Sequence, residues 1–384
     1  MRVFFNAIIV QVILSAYVLW RGWNALPAKK VVRVPFIAFF IIEIIIYFIG
    51  FFFSRHLPFD ALHTFAWVGT TWMIFIIYMT ALLLIYDLVR FVNTRKTFIP
   101  PLLDPKQYKV RRVYYAVSLL LVVGVMMWGN YRFHHPVVTE LNLTVDKYSP
   151  KVQELRVVVA TDLHAGFLID KDIVQMYMDK IMEQKPDLIL LVGDIIDYDI
   201  RSLEMHNMHE QLRQLHAPYG VFGSTGNHEY INLGDDETPE YKIKWLNDVA
   251  GITMLRDTTV MVDSAFYLVG REDDKNWKRK QLPDIMQQVD KHYPVIVMNH
   301  EPHRLAEEVE AGADVAVYGH THNGQFFPVN LALKFMYELP FGYKKTENTH
   351  IYVSSGLGLA GPQYRIGTIS EIVVLNLKFT GKES

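Results

Sequence analysis

The chain has 384 residues, 51% of them hydrophobic and 13% aromatic, with a formal charge of −2 and a mean hydropathy of +0.13. This composition excludes disordered, collagen-like and acidic-tail classes and is too apolar for one ordinary soluble enzyme. The absence of cysteine excludes disulfides, zinc ribbons, thiolate catalysis and iron–sulfur sites. The charge divides the chain, with 14 Lys/Arg against 4 Asp/Glu in residues 1–133 and 24 against 36 in residues 134–384.

Four apolar stretches come first, Val3–Trp20, Val34–Phe53, Phe65–Tyr86 and Val113–Gly129. Each is about long enough to cross a hydrocarbon core that needs roughly 20 helical residues. A run such as Phe36–Ile42 has no polar face to show water, so the stretches predict a four-helix transmembrane region over residues 1–130 rather than core helices. Arg2 followed by an apolar run imitates a signal peptide, but no small-x-small cleavage site follows it. The two loops on one side hold Arg21, Lys29, Lys30, Arg33, Arg90, Arg95, Lys96, Lys106, Lys109, Arg111 and Arg112, against Arg2 and Arg55 on the other. The positive-inside rule puts those loops in the cytoplasm and everything after Gly129 outside it. Glu43 lies in the middle of the second stretch, where it reads either as a functional carboxylate or as a protonated acid bonded to a neighbouring helix.

A polar connection follows over residues 131–153, with Pro136 and Pro150. The pattern then changes to short β-rich runs at Leu155–Ala160, Leu188–Val192, Gly220–Ser224, Val295–Met298, Val315–Tyr318 and Ile351–Val353. Helical patterns separate them near Asp172–Gln184, Leu203–Leu215, Pro239–Val249, Leu282–Lys291 and His303–Ala311, while Thr259–Val269 and Ile366–Phe379 alternate like hairpin or edge strands. Apolar strands alternating with helices predict an α/β domain over 154–384 whose sheet is covered on both faces.

The apolar runs stop at polar residues: Asp162-Leu163-His164, Gly193-Asp194-Ile195-Ile196-Asp197, Gly226-Asn227-His228-Glu229, Asn299-His300-Glu301 and Gly319-His320-Thr321-His322. Ligands bind at the carboxyl ends of strands in open α/β sheets, so these groups converge on one rim. In an extended chain Asp162 and His164 project to the same side, as do His320 and His322. Mixed imidazole, carboxylate and amide donors suit Mn, Fe or Zn better than Mg or Ca. His206, His209 and His216 fall outside this series and read as helix surface.

The series resembles the signature of calcineurin-like metallophosphoesterases over about residues 154–375. The Gly319–Gln325 form, with Gly356-Leu357-Gly358 and Arg365, resembles a bacterial membrane-associated branch of that family. The resemblance implies a four-layer α/β/β/α sandwich and two divalent metal ions, one held by Asp162, His164, Asp194 and His322, the other by Asp194, Asn227, His300 and His320. Asp194 then bridges, a hydroxide between the metals attacks phosphorus, and His228 stabilises the transition state or protonates the leaving oxygen. Asp197 reads as a partner of a ligand or a helix cap. Arg271 and Arg365 read either as binders of substrate phosphate or as solvated loop arginines.

The combined expectation is an integral membrane phosphoesterase of a bacterial cell or inner membrane with an extracytoplasmic catalytic domain. Its substrate is a phosphate ester, lipid-linked or near the membrane. The alternatives are a pyrophosphatase acting on a nucleotide-linked lipid and an inactive receptor or scaffold that only binds phosphates. The acidic second half argues against nucleic-acid binding, and no oligomeric state is implied.

Overall fold

A computed structural model describes residues 2–52, 58–231 and 238–382; Phe53 and Arg55, on which the sequence reading drew, lie outside them. The chain divides into two compact units, Met1–Asn130 with Gly361–Gln363, and Tyr131–Ala360 with Tyr364–Ser384.

The apolar stretches form helices α1 (Arg2–Ala25), α2 (Lys30–Phe52), α3 (Phe59–Arg95) and α4 (Tyr108–His134). Among the described residues, Lys30–Gly50, Ala61–Arg95 and Tyr108–His134 are long and apolar enough to cross a membrane. The fourth expected span lies in α1, where the side chains of the first turns are outside the described set. α3 runs well beyond Tyr86, because Leu88, Val89, Phe91 and Val92 continue its apolar character. It therefore carries an acid the sequence reading did not count: Asp87 accepts from Tyr17 at 2.6 Å and pairs with Arg21. Glu43 Oε2 is buried without a hydrogen-bond partner.

The second unit contains, among the described residues, strands β1 (Val137–Val145), β2 (Glu154–Ala160), β3 (Leu188–Val192), β4 (Val221–Ser224), β5 (Thr253–Met254), β6 (Thr258–Val262), β7 (Phe266–Gly270), β8 (Val295–Met298), β9 (Val315–Tyr318), β10 (Gly342–Thr346), β11 (Thr349–Val353) and β12 (Glu371–Phe379). They form two six-stranded sheets, ordered β1-β12-β2-β3-β4-β5 and β10-β11-β9-β8-β7-β6. Within them β2-β3-β4 and β7-β8-β9 run parallel, which aligns their carboxyl ends.

Strand alternation explains the layers. Val157, Val159, Leu188 and Leu190 face Leu268, Ile296, Val315 and Val317 in a core between the sheets. Val158, Ile189 and Leu191 face the other way, onto a helix, α5 (Lys171–Glu183). α5 buries Ile173, Val174, Tyr177, Met178 and Ile181 on one face, and its first turn is capped by Asp170, which accepts from Ile173 N at 3.1 Å. Val269, Val295, Val297 and Ala316 similarly meet Leu282, Ile285 and Leu305 on the outer face of the second sheet. The result is the expected α/β/β/α sandwich.

The structure departs from the sequence reading over 131–153, where β1 pairs in parallel with β12. The pattern Leu141, Leu143, Val145 was the available signal, masked by Thr139, Glu140, Asn142 and Thr144 on a half-exposed edge. The single helix expected over Leu203–Leu215 is two short ones, Arg201–Met205 and His209–Leu212.

Candidate metal centre

The exits from β2, β3 and β9 turn sharply. Asp162, His164, Asp194, His320 and His322 all have positive φ, between 49° and 70°. The convergence of Asp162 with His164, and of His320 with His322, therefore comes from left-handed residues rather than from the extended alternation the spacing suggested. Asp, Asn and His tolerate that region better than most side chains, and such strain persists where surrounding structure enforces it. Glycine supplies the clearance: a Cβ on Gly226 would lie 2.2 Å from Asp194 Oδ1, and one on Gly193 2.4 Å from His300 Nδ1.

Among the described residues four groups of donors come together: His164 with Asp194 and His228, Glu301 with His303 and His320, and two groups made of expected ligands. Asp162, His164 and His322 form one, and Asp194, His300 and His320 the other, with donor atoms within 4.8 Å of one another in each. Asp194 Oδ2 faces both, 3.6 Å from His164 Nε2 and 3.2 Å from His300 Nε2. His164 Nε2 is 3.2 Å from His322 Nε2, and Asn227 Oδ1 is 2.8 Å from His320 Nδ1.

The donors fit divalent metal ions. His300 Nδ1 is 2.9 Å from the Val192 carbonyl, which anchors the ring with Nε2 turned inward, 3.2 Å from Asp194 Oδ2. His164 is oriented in the same way, its Nδ1 3.2 Å from Asp197 Oδ1. Burial alone would push the Asp194 carboxyl up, but His300, His228 and His164 hold it well below the usual carboxylate range. Asp194 is therefore held as a carboxylate.

His228 stands beside this pair of clusters. Its Nε2 is 4.0 Å from Asp194 Oδ2, and its Nδ1 is 3.0 Å from Asp197 Oδ1. Burial lowers its pKa, but Asp194 and Asp197 outweigh that and push it up to about 9. Asp197 fixes the orientation of both His164 and His228.

Two residues carry structure that spacing did not reveal. Glu229, fully buried, accepts from Asp194 N at 3.0 Å, Gly226 N at 2.7 Å and Ile196 N at 3.0 Å, tying the exits of β3 and β4 together. Buried Lys242 donates to the carbonyls of Ile231 at 2.7 Å and Tyr198 at 2.9 Å, bracing the segment around His228. Sequence gave only a weak sign of Glu229, its place in the Gly-Asn-His-Glu run, and none of Lys242.

The two arginines are neither solvated nor open. Arg271 is buried against Asp257 at 3.3 Å and donates to the Lys280 carbonyl at 3.1 Å. Arg365 is fully buried; its guanidinium donates to the carbonyls of His322, Gly356 and Gly358 at 2.8–3.1 Å, so it shapes the loop of His322. His206, His209 and His216 lie outside both clusters.

Comparison with known proteins accords with this geometry. Residues 155–324 match the calcineurin-like phosphoesterase family. An uncharacterized metallophosphoesterase of Helicobacter pylori is 31% identical over 265 residues, which cover 67% of this chain and 68% of that protein. One from Aquifex aeolicus is 29% identical over 253 residues, 62% of this chain and 93% of that protein. A transmembrane protein with metallophosphoesterase domain from Danio rerio is 27% identical over 258 residues, 63% of this chain and 57% of that protein. With its family match, its shared sequence and its clustered donors, the chain belongs to the calcineurin-like metallophosphoesterases and is a metal-dependent phosphoesterase preceded by apolar helices.

Proposed function

We propose that the protein hydrolyses a phosphate ester held at a membrane, through a centre in which Asp162, His164, Asp194 and His322 hold one divalent ion and Asp194, Asn227, His300 and His320 hold the other. The observation that carries this reading is Asp194 Oδ2, which faces both clusters at 3.2–3.6 Å. Bound there, Mn, Fe or Zn ions supply water activation and neutralise phosphate charge. His228, raised towards a protonated state by Asp194 and Asp197, donates to the transferring phosphoryl group or its leaving oxygen. Asp197 keeps His164 and His228 oriented.

The proposal includes the domain plan: a membrane region over 1–130, a catalytic domain over 154–384, and a joining segment 131–153 that adds β1 to the first sheet. It also places the catalytic domain on the extracytoplasmic side of a bacterial inner membrane, on the strength of the basic loops. Lipid-linked substrates suit an enzyme confined to a bilayer.

Detergent-purified protein with added Mn²⁺, assayed on mono-, di- and pyrophosphate esters in soluble and lipid forms, tests the reading. Hydrolysis of at least one class is expected. Asp194→Asn should lose bound metal and activity, while His228→Ala should keep its metal and lose about 10²–10⁴-fold in kcat. Equal inertness of wild type and Asp194→Asn, with metal bound, would overturn it in favour of a phosphate-binding protein.

A further inference from the structure

Residues 325–340 leave the metal-binding loop and return to it. The departure is fixed by Gln325 N donating to the His322 carbonyl at 3.0 Å and Phe327 N donating to the Ile366 carbonyl at 2.7 Å. The return is fixed by Thr321 Oγ1, which donates to the Pro340 carbonyl at 2.6 Å. Thr321 lies between His320 and His322, so both ends of the segment are fastened at the metal centre. On the inner side Leu333 is buried, and the Tyr337 ring stacks on His303 with centroids 5.1 Å apart.

The outer side is apolar. Phe327, Val329 and Leu331 are about half exposed, and Phe335 and Met336 are 91% and 70% exposed. This run of exposed apolar side chains within ten residues is solvated poorly by water and marks a candidate interaction surface. Helices long and apolar enough to cross a membrane precede this unit, and in a bilayer lipid is the apolar phase these side chains meet at highest concentration. The helical turn Val329–Leu333 and its continuation combine Leu, Phe and Met with the exposed cation Lys334, the composition of a segment that lies in the headgroup boundary.

We propose that residues 325–340 form a lipid-inserting lip whose Phe335–Met336 tip enters the leaflet and whose fastened base guides a lipid headgroup phosphate to the metal centre. The substrate half of this inference rests on the phosphoesterase reading above; the insertion half does not. A lip tied to Thr321 by one hydrogen bond and to the His322 carbonyl by another transmits its position directly to residues of the centre.

Because the chain contains no cysteine, single spin labels at Phe335→Cys or Met336→Cys, in full-length protein in nanodiscs of phosphatidylethanolamine and phosphatidylglycerol, report insertion without any assay of hydrolysis. Both labels should collide with oxygen several-fold more than with a water-soluble nickel chelate, and a label at exposed Lys244→Cys should show the reverse. Labels as wet as Lys244→Cys, or shielded from both reagents with the dipolar coupling of a second copy, would overturn the proposal.

The substrate half is read from Phe335→Ser/Met336→Ser. It should turn over nanodisc-held phosphatidic acid about tenfold more slowly while leaving p-nitrophenyl phosphate hydrolysis unchanged. Equal losses on both would reduce the lip to a structural support. Inserted labels in a protein inert on the whole mono-, di- and pyrophosphate panel would count against the phosphoesterase reading while leaving insertion standing.

Discussion

Glu229 illustrates how much one buried side chain does in this protein. Its two oxygens receive three backbone N–H groups from the exits of β3 and β4, including that of Asp194. Glu229→Ala leaves those donors without partners in a dry site, at about 1–3 kcal/mol each. A fall in thermal midpoint together with reduced metal content is expected, measured by differential scanning fluorimetry and elemental analysis, with Glu229→Gln retaining part of both. Asp314, remote from the metal centre, gives a cleaner test of pH. Burial pushes its carboxyl up to about 6, even though its Oδ2 accepts from Val295 N at 2.8 Å. A raised carboxyl favours the folded state while protonated, and that contribution is lost as pH rises through about 6. Asp314→Asn, which does not ionise, should therefore gain about 1 kcal/mol relative to wild type between pH 5 and pH 8, measured by denaturant titration; a constant difference across that range would contradict the assignment.

At the scale of elements, the centre is made by strand exits rather than by strands. The apolar runs and their terminal polar residues were legible because a buried parallel strand is a short continuous apolar segment, and its end is where polarity returns. The turns themselves were less legible. Five of the seven proposed ligands sit at positive φ, a conformation that no spacing rule assigns to Asp or His. Gly226 gives the matching prediction. Its alanine variant adds a carbon that would overlap Asp194 Oδ1, so it should fold but lose metal affinity by about tenfold or more, seen by isothermal titration with Mn²⁺. Wild-type affinity in Gly226→Ala would show that the β4 exit can relax. β1 makes the complementary point, since alternating polar residues on an edge strand read as a linker until β12 supplies its partner.

For the whole molecule, the charge total is a cancellation between a basic membrane region and an acidic catalytic one. The orientation proposed from it is testable in intact cells with an impermeant maleimide. Lys244→Cys in the catalytic unit should label and Lys30→Cys should stay protected until the membrane is opened; the opposite pattern would place the catalytic unit in the cytoplasm. The sequence by itself determined the apolar stretches, the order of the α/β elements and the identity of the donors, because these depend on local composition and on where apolar runs end. Only the tertiary structure decided that Asp194 faces two clusters, that Arg271 and Arg365 are buried supports, and that an apolar segment borders the metal loop. Those facts depend on the directions of side chains brought together from strands up to about 160 positions apart in the chain.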